Sequence, residues 1–137
     1  MILQVGVKAL LKNKDGRYLF VRRNPKKYPD VGPKWDIVGG RIEIGSTLID
    51  NLKREVKEET GLHLTSPVKL VGAQDILKSD DKHVVRLTYT GEIDGEPKID
   101  EESLEAKWMS ADDIRTLKPE ELDSYFKELL DNKSIIL

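Results

Sequence analysis

Residues 54 to 62 read Arg-Glu-Val-Lys-Glu-Glu-Thr-Gly-Leu, and the fold turns on what this segment does. Just upstream, Leu48, Leu52 and Val56 recur every four residues, so the run from Thr47 is a helix with one buried stripe. Ser46 or Thr47 caps its start, Thr47 with Asp50 resembles a capping box, and Gly61 stops it. Helical residues turn by about 100° each, so Glu55, Glu58 and Glu59 share one face with Cβ atoms roughly 5–6 Å apart. Three carboxylates that close repel one another. They also sit at the negative end of the helix dipole, where Lys or Arg would be favoured. A hard, oxygen-seeking cation is their natural partner. Magnesium accepts one or two carboxylates, keeps several waters and takes further ligands from substrate phosphates. The plain alternative is a solvated acidic face in which Arg54 pairs with Glu58 for a few tenths of a kcal/mol. Spacing alone does not separate the two.

The longer pattern does. Gly40 stands at a fixed distance before Arg54, Glu55, Val56, Glu58, Glu59, Gly61 and Leu62. Six fixed identities of this kind arise by chance on the order of 10⁻⁷ times per start position. From Gly40 to Leu62 the chain resembles the Nudix box: Gly, five residues, Glu, seven residues, then Arg-Glu-apolar-x-Glu-Glu-x-Gly-apolar. The lead-in Gly32-Pro33-Lys34-Trp35-Asp36-Ile37-Val38-Gly39-Gly40 and the later Trp108-Met109-Ser110 are similar to the family as well.

The resemblance implies an α/β/α sandwich with a mixed sheet. It also implies hydrolysis of a pyrophosphate bond in a nucleoside diphosphate linked to another group, in a MutT-like enzyme dependent on Mg²⁺ or Mn²⁺. Carried over by position, Glu55, Glu58 and Glu59 are the metal ligands and Arg54 orients a ligand carboxylate. Gly40 and Gly45 let the loop approach closely. Arg23, at the end of a strand, matches a position used for substrate phosphate. A further acidic residue from a later loop serves as ligand or base; Glu102 is favoured, with Glu101 and Glu105 as alternatives. Either Glu55 or Glu102 is the base.

Two positions depart from the pattern. Ser46 stands where the box has Glu, a carboxylate that supports the metal shell or Arg54; Glu43 and Asp50 are near but not at the matching position. Val38 stands where Pro is usual and suits a strand end. The loss at 46 supports an alternative reading, a nucleotide-binding or regulatory module with weak or no turnover. Small size and MutT-like layout favour nucleoside triphosphates or nucleotide sugars as the substrate class, and relatives that dimerise put a homodimer among the assemblies the resemblance allows.

Composition agrees. The 137 residues are read as a single domain, 1–137, with no repeat, low-complexity tract or linker. At 38% hydrophobic and 35% charged, the profile is an ordinary soluble one. No run approaches the roughly 18 apolar residues that span a bilayer, and a net charge of −2 shows no basic excess for nucleic acid. The partner expected is therefore a small nucleotide, with neither nucleic acid nor membrane. The absence of cysteine removes disulfides and thiolate sites and permits the cytoplasm, the compartment expected. Met1 to Lys8 alternates like a strand and is not read as a secretion signal.

Leu3 to Leu11 and Tyr18 to Arg23 form a hairpin across Asn13-Lys14-Asp15-Gly16, followed by a proline-broken loop from Asn24 to Lys34. Trp35 to Val38 is a short strand running into Gly39-Gly40. Further strands are expected at about Val68 to Leu77, His83 to Gly91 and Ala106 to Met109, and helices at Asp112 to Leu117 and Glu120 to Leu130. Strands and helices mixed without βαβ alternation give an α+β class. Trp35 and Trp108 are read as core. His63 and His83, lacking partner spacing, are read as structural.

Overall fold

A computed structural model describes residues 1–27, 29, 32–100 and 104–137. In chain order the elements are β1 (Ile2–Lys12), β2 (Tyr18–Arg23), β3 (Val38–Arg41), helix α1 (Leu48–Thr60), β4 (Lys69–Ser79), β5 (Lys82–Glu92), β6 (Leu104–Met109), α2 (Ala111–Thr116), a 3₁₀ turn (Pro119–Glu121) and α3 (Ser124–Asp131). The six strands form a mixed sheet in the order β4-β5-β1-β2-β6, with β3 attached to β1 beside that path.

Strand β1 is the hub. It runs parallel to β5 along its whole length, from Ile2 opposite Lys82 to Lys12 opposite Glu92. Its other edge is divided: Gly6 to Ala9 pair with β3, and only Lys12 at the hairpin meets β2. The sheet therefore splays between β1 and β2, and β3 enters the gap.

Alternation along the strands sorts side chains onto two faces. Val7, Ala9 and Leu11 of β1, with Leu19 and Val21 of β2, pack under Leu52 and Val56 of α1. Leu10, Tyr18 and Phe20 point the other way, toward Phe126 and Leu129 of α3, and Phe20 meets Phe126 edge-on with ring centroids 5.2 Å apart. One sheet covered by a helix on each side is the α/β/α arrangement expected. No helix among the described residues is long and apolar enough to cross a membrane.

Two elements differ from the sequence reading. The strand expected over Trp35 to Val38 instead begins at Val38 and passes through both glycines, while Trp35 and Asp36 make isolated bridges, to Leu122 and Val21. The reason is close approach: Gly39 has φ 147°, and a Cβ there would collide with the Val7 carbonyl of β1. Second, the helix expected from Glu120 is broken. Leu122 is drawn into the core, Trp35 N–H donates to Glu121 O, and Asp123 restarts the helix by accepting from the amides of Tyr125 and Phe126.

Candidate active site

Helix α1 carries the acidic face. Thr47 caps it by accepting from Asp50 N at 3.0 Å, and Gly61, with φ 73°, closes it by donating to Lys57 O. Leu52 and Val56 fix the helix on the sheet, which leaves Asn51 against the loop after β3, Glu59 turned toward Gly39 of β3, and Glu58 toward solvent.

The structure brings Arg54, Glu55, Glu58, Glu59 and Gly40 together. Arg54 Nη1 donates to Glu55 Oε1 at 2.8 Å and to Glu58 Oε2 at 3.3 Å. Its Nη2 donates to Asn51 Oδ1 at 3.0 Å and to the Arg41 carbonyl at 3.2 Å. Gly40 lies against Glu55: any Cβ at position 40 would collide with that carboxylate. Glu59 turns inward and accepts from Gly39 N at 2.7 Å. Burial pushes its carboxyl above the usual range, and the charges of Glu55 and Asp36 add to this, against the opposing pull of Lys8 and the Gly39 amide. Glu58 is the exposed member, with 59% of its side chain accessible.

A layer behind Glu59 was not legible in the sequence. Asp36 pairs with Lys8 at 3.1 Å and with Arg86 at 2.9 Å, and Arg86 also reaches Asp123 at 3.3 Å. Burial pushes the Asp36 carboxyl up, but Lys8 and Arg86 outweigh it and hold the group below the usual carboxylate range. Lys8 and Arg86 occupy polar positions of alternating strands, the pattern of a solvent face. Asp36 and Ile37 of the segment before β3 meet Lys8, and Asp36 with Asp123 and Tyr125 at the start of α3 meets Arg86.

Arg23 stands at the end of β2, opposite Leu104 of β6, and opens on a cavity of about 310 Å³ whose walls include Lys34, Lys78, Asp36 and Asp123. Glu102 and Glu101 lie outside the described residues. Glu105 is described and is held by Arg22 Nε at 2.6 Å, on the strand pair β2–β6. Trp35 is core, as expected, with Arg22 stacked over it at 4.5 Å; His83 pairs with Asp75 at 2.7 Å.

The donors are all hard oxygens, the chemistry a small divalent cation takes. Among the described residues no three acidic or histidine side chains are grouped so as to hold a metal ion. The geometry gives the reason: the guanidinium of Arg54 lies between Glu55 and Glu58, and Glu59 faces the Gly39 amide. The glycine at 40 lets the Glu55 carboxylate lie against the loop backbone, and the oxygens of Glu55, Glu58 and Glu59 are of the kind that suits a small divalent cation.

Comparison with known proteins agrees. The NUDIX domain model matches residues 2–131. The human 8-oxo-dGDP phosphatase NUDT18 is 37% identical over 83 residues, 60% of this chain and 25% of that protein. The putative 8-oxo-dGTP diphosphatase of Bacillus subtilis (strain 168) is 30% identical over 106 residues, 77% of this chain and 65% of that protein. The chain thus matches about a quarter of the human relative's length. The MutT protein of Methanosarcina mazei Go1 superposes with a TM-score of 0.78 at 26% identity, over 95% of this chain and 91% of that one. The MutT NUDIX hydrolase of Burkholderia pseudomallei superposes at 0.76 and 26% identity, over 96% and 98%. With the box helix, the splayed mixed sheet and a family match along almost its whole length, this chain belongs to the Nudix hydrolase family.

Proposed function

We propose that this chain, acting as one domain, hydrolyses a pyrophosphate bond in a nucleoside diphosphate linked to a further group, with Mg²⁺ or Mn²⁺ as cofactor. Nucleoside triphosphates are the first class to test, with nucleotide sugars second, because the Bacillus subtilis relative is named as a putative 8-oxo-dGTP diphosphatase. The observation that carries the reading is the joint placement of Arg54 on Glu55 and Glu58, with Glu59 half-buried beside them.

Glu55, Glu58 and Glu59 would hold the cation. When bound, it lowers the pKa of coordinated water and offsets charge on the phosphate oxygens. Arg54 keeps two of the three carboxylates in register by charge-assisted hydrogen bonds from one nitrogen, Nη1. Water oxygen bonds to one phosphorus, the bridging P–O bond breaks, and the bridging oxygen leaves with the departing phosphate. The water proton passes to Glu55 or to Glu102. Arg23, Lys34 and Lys78 on one cavity wall are cations that an anionic substrate would meet.

The test is product formation from a panel of nucleoside triphosphates and nucleotide sugars in Mg²⁺ or Mn²⁺, repeated with Glu58→Gln and Glu59→Gln. Each substitution is expected to lower turnover by about 100-fold or more. Equal turnover by wild type and both variants would remove these glutamates from the site.

A further inference from the structure

We propose that Asn51 takes the place of the box glutamate that Ser46 replaces, by holding Arg54 in the orientation from which its guanidinium reaches Glu55 and Glu58. The inference rests on the reading of Arg54 as the residue that orients those carboxylates in a working hydrolase.

Asn51 is 1% exposed, on the flank of α1 that packs beneath the loop after β3. An amide buried so completely is costly unless every polar atom is met. Here all are. Asn51 Oδ1 accepts from Glu43 N at 2.9 Å and from Arg54 Nη2 at 3.0 Å, while Nδ2 donates to Ser46 O at 3.2 Å and to Thr47 O at 2.8 Å. This uses both acceptor sites and both donors of the side chain. It also fixes the amide's orientation, since a flip would set NH₂ against two N–H donors and oxygen against two carbonyls.

The guanidinium is a rigid planar fork, so fixing one nitrogen aims the other. Asn51 Oδ1 and Arg41 O hold Nη2, leaving Nη1 between Glu55 and Glu58. The acidic neighbours weighed as replacements for the missing glutamate do less. Glu43 is 3.8 Å from Arg54 with 69% of its side chain exposed, and Asp50 is exposed on the first turn. An amide also leaves Arg54's charge for Glu55 and Glu58, where a carboxylate would compete for it. Asn51 acts through Arg54 and is a positioning residue.

The test uses the whole chain in two measurements. The first is steady-state turnover in Mg²⁺ of the best nucleotide from the panel, for wild type, Asn51→Ala, Arg54→Ala, the double variant of these two, and Asn51→Ala with Ser46→Glu. Asn51→Ala is expected to lower kcat about tenfold or more with KM within about twofold, to cost nothing further in the Arg54→Ala background, and to be largely reversed by Ser46→Glu. The second is ¹⁵N NMR of the Arg54 guanidinium in metal-free protein. Rotation about its terminal bonds is hindered in wild type, free in Asn51→Ala, and hindered again when Ser46→Glu is added. Undiminished kcat, an equal loss with Arg54 already removed, or an Arg54 that stays immobilised in Asn51→Ala would each overturn the proposal. If Asn51→Ala does not fold, the variant carrying Ser46→Glu decides: a folded protein with a held Arg54 supports the proposal, and an unfolded one overturns it. If wild type turns over no substrate, the hydrolase reading fails, yet the NMR measurement still decides what Asn51 does.

Discussion

Glu59 is the residue at which stability and function pull apart. Its carboxyl is raised by burial, so the folded chain binds this proton more tightly than the unfolded chain does. The favourable contribution is therefore complete below the ordinary glutamate range and is lost as pH rises through the higher, folded value. At about pH 8 without metal, Glu59→Gln removes the buried charge but keeps an oxygen for the Gly39 amide. We expect this variant to melt at a higher temperature than wild type while losing activity, as measured by differential scanning calorimetry beside the turnover assay. A cation should raise the melting temperature of wild type more than that of the variant. Gly40 makes a second test at this scale. In Gly40→Ala the new methyl displaces the Glu55 carboxylate, and kcat should fall on the order of 100-fold.

Helix α1 was readable before any coordinates because three signals agree on it: a four-residue apolar repeat, a hydroxyl cap and a glycine stop. Removing the cap by Thr47→Ala should cost about 1 kcal/mol in urea unfolding, with turnover per folded molecule changed much less, since the Thr47 hydroxyl serves Asp50 N on the first turn. Other elements were readable only in part. The segment Glu120 to Leu130 has helical composition throughout, yet Trp35 of a distant segment bonds to Glu121 and Asp123 and forces the break. Val38 to Arg41 is similar: two glycines read as the end of a strand unless the neighbouring strand that demands them is known. In both cases the deciding partner is remote in sequence, and local propensity does not contain it. Within the site, spacing placed the three glutamates on one helix, and only the resemblance to the box gave them a role. Asn51, Lys8, Asp36 and Arg86 were not legible, because each acquires its meaning from a residue on another element or loop.

At the scale of the molecule, the ion network of Lys8, Asp36, Arg86 and Asp123 ties β1, the segment before β3, β5 and the start of α3 into one block beside the box helix. Arg86 is 5% exposed and faces two carboxylates. Arg86→Met would leave both without their shared cation, and we expect a loss of roughly 3–5 kcal/mol in chemical denaturation, smaller when Asp36→Asn is present as well. The pH dependence follows with the opposite sign to that of Glu59. Asp36 is held below its ordinary value, so its contribution is complete above that value and is lost as pH falls through the folded one. Acid melts of wild type and Asp36→Asn should converge as that window is crossed.

The bond from Gly39 N to Glu59 Oε1 joins a backbone amide of the central sheet to a carboxylate of the box helix at 2.7 Å. Whatever claims that carboxylate must change the surroundings of one amide proton. If Glu59 holds a cation as proposed, Gly39 is a native indicator of its occupancy: its amide resonance and deuterium exchange rate should shift on titration with cation and stay silent for compounds that bind elsewhere. No foreign reporter group is needed, only ¹⁵N enrichment of the chain.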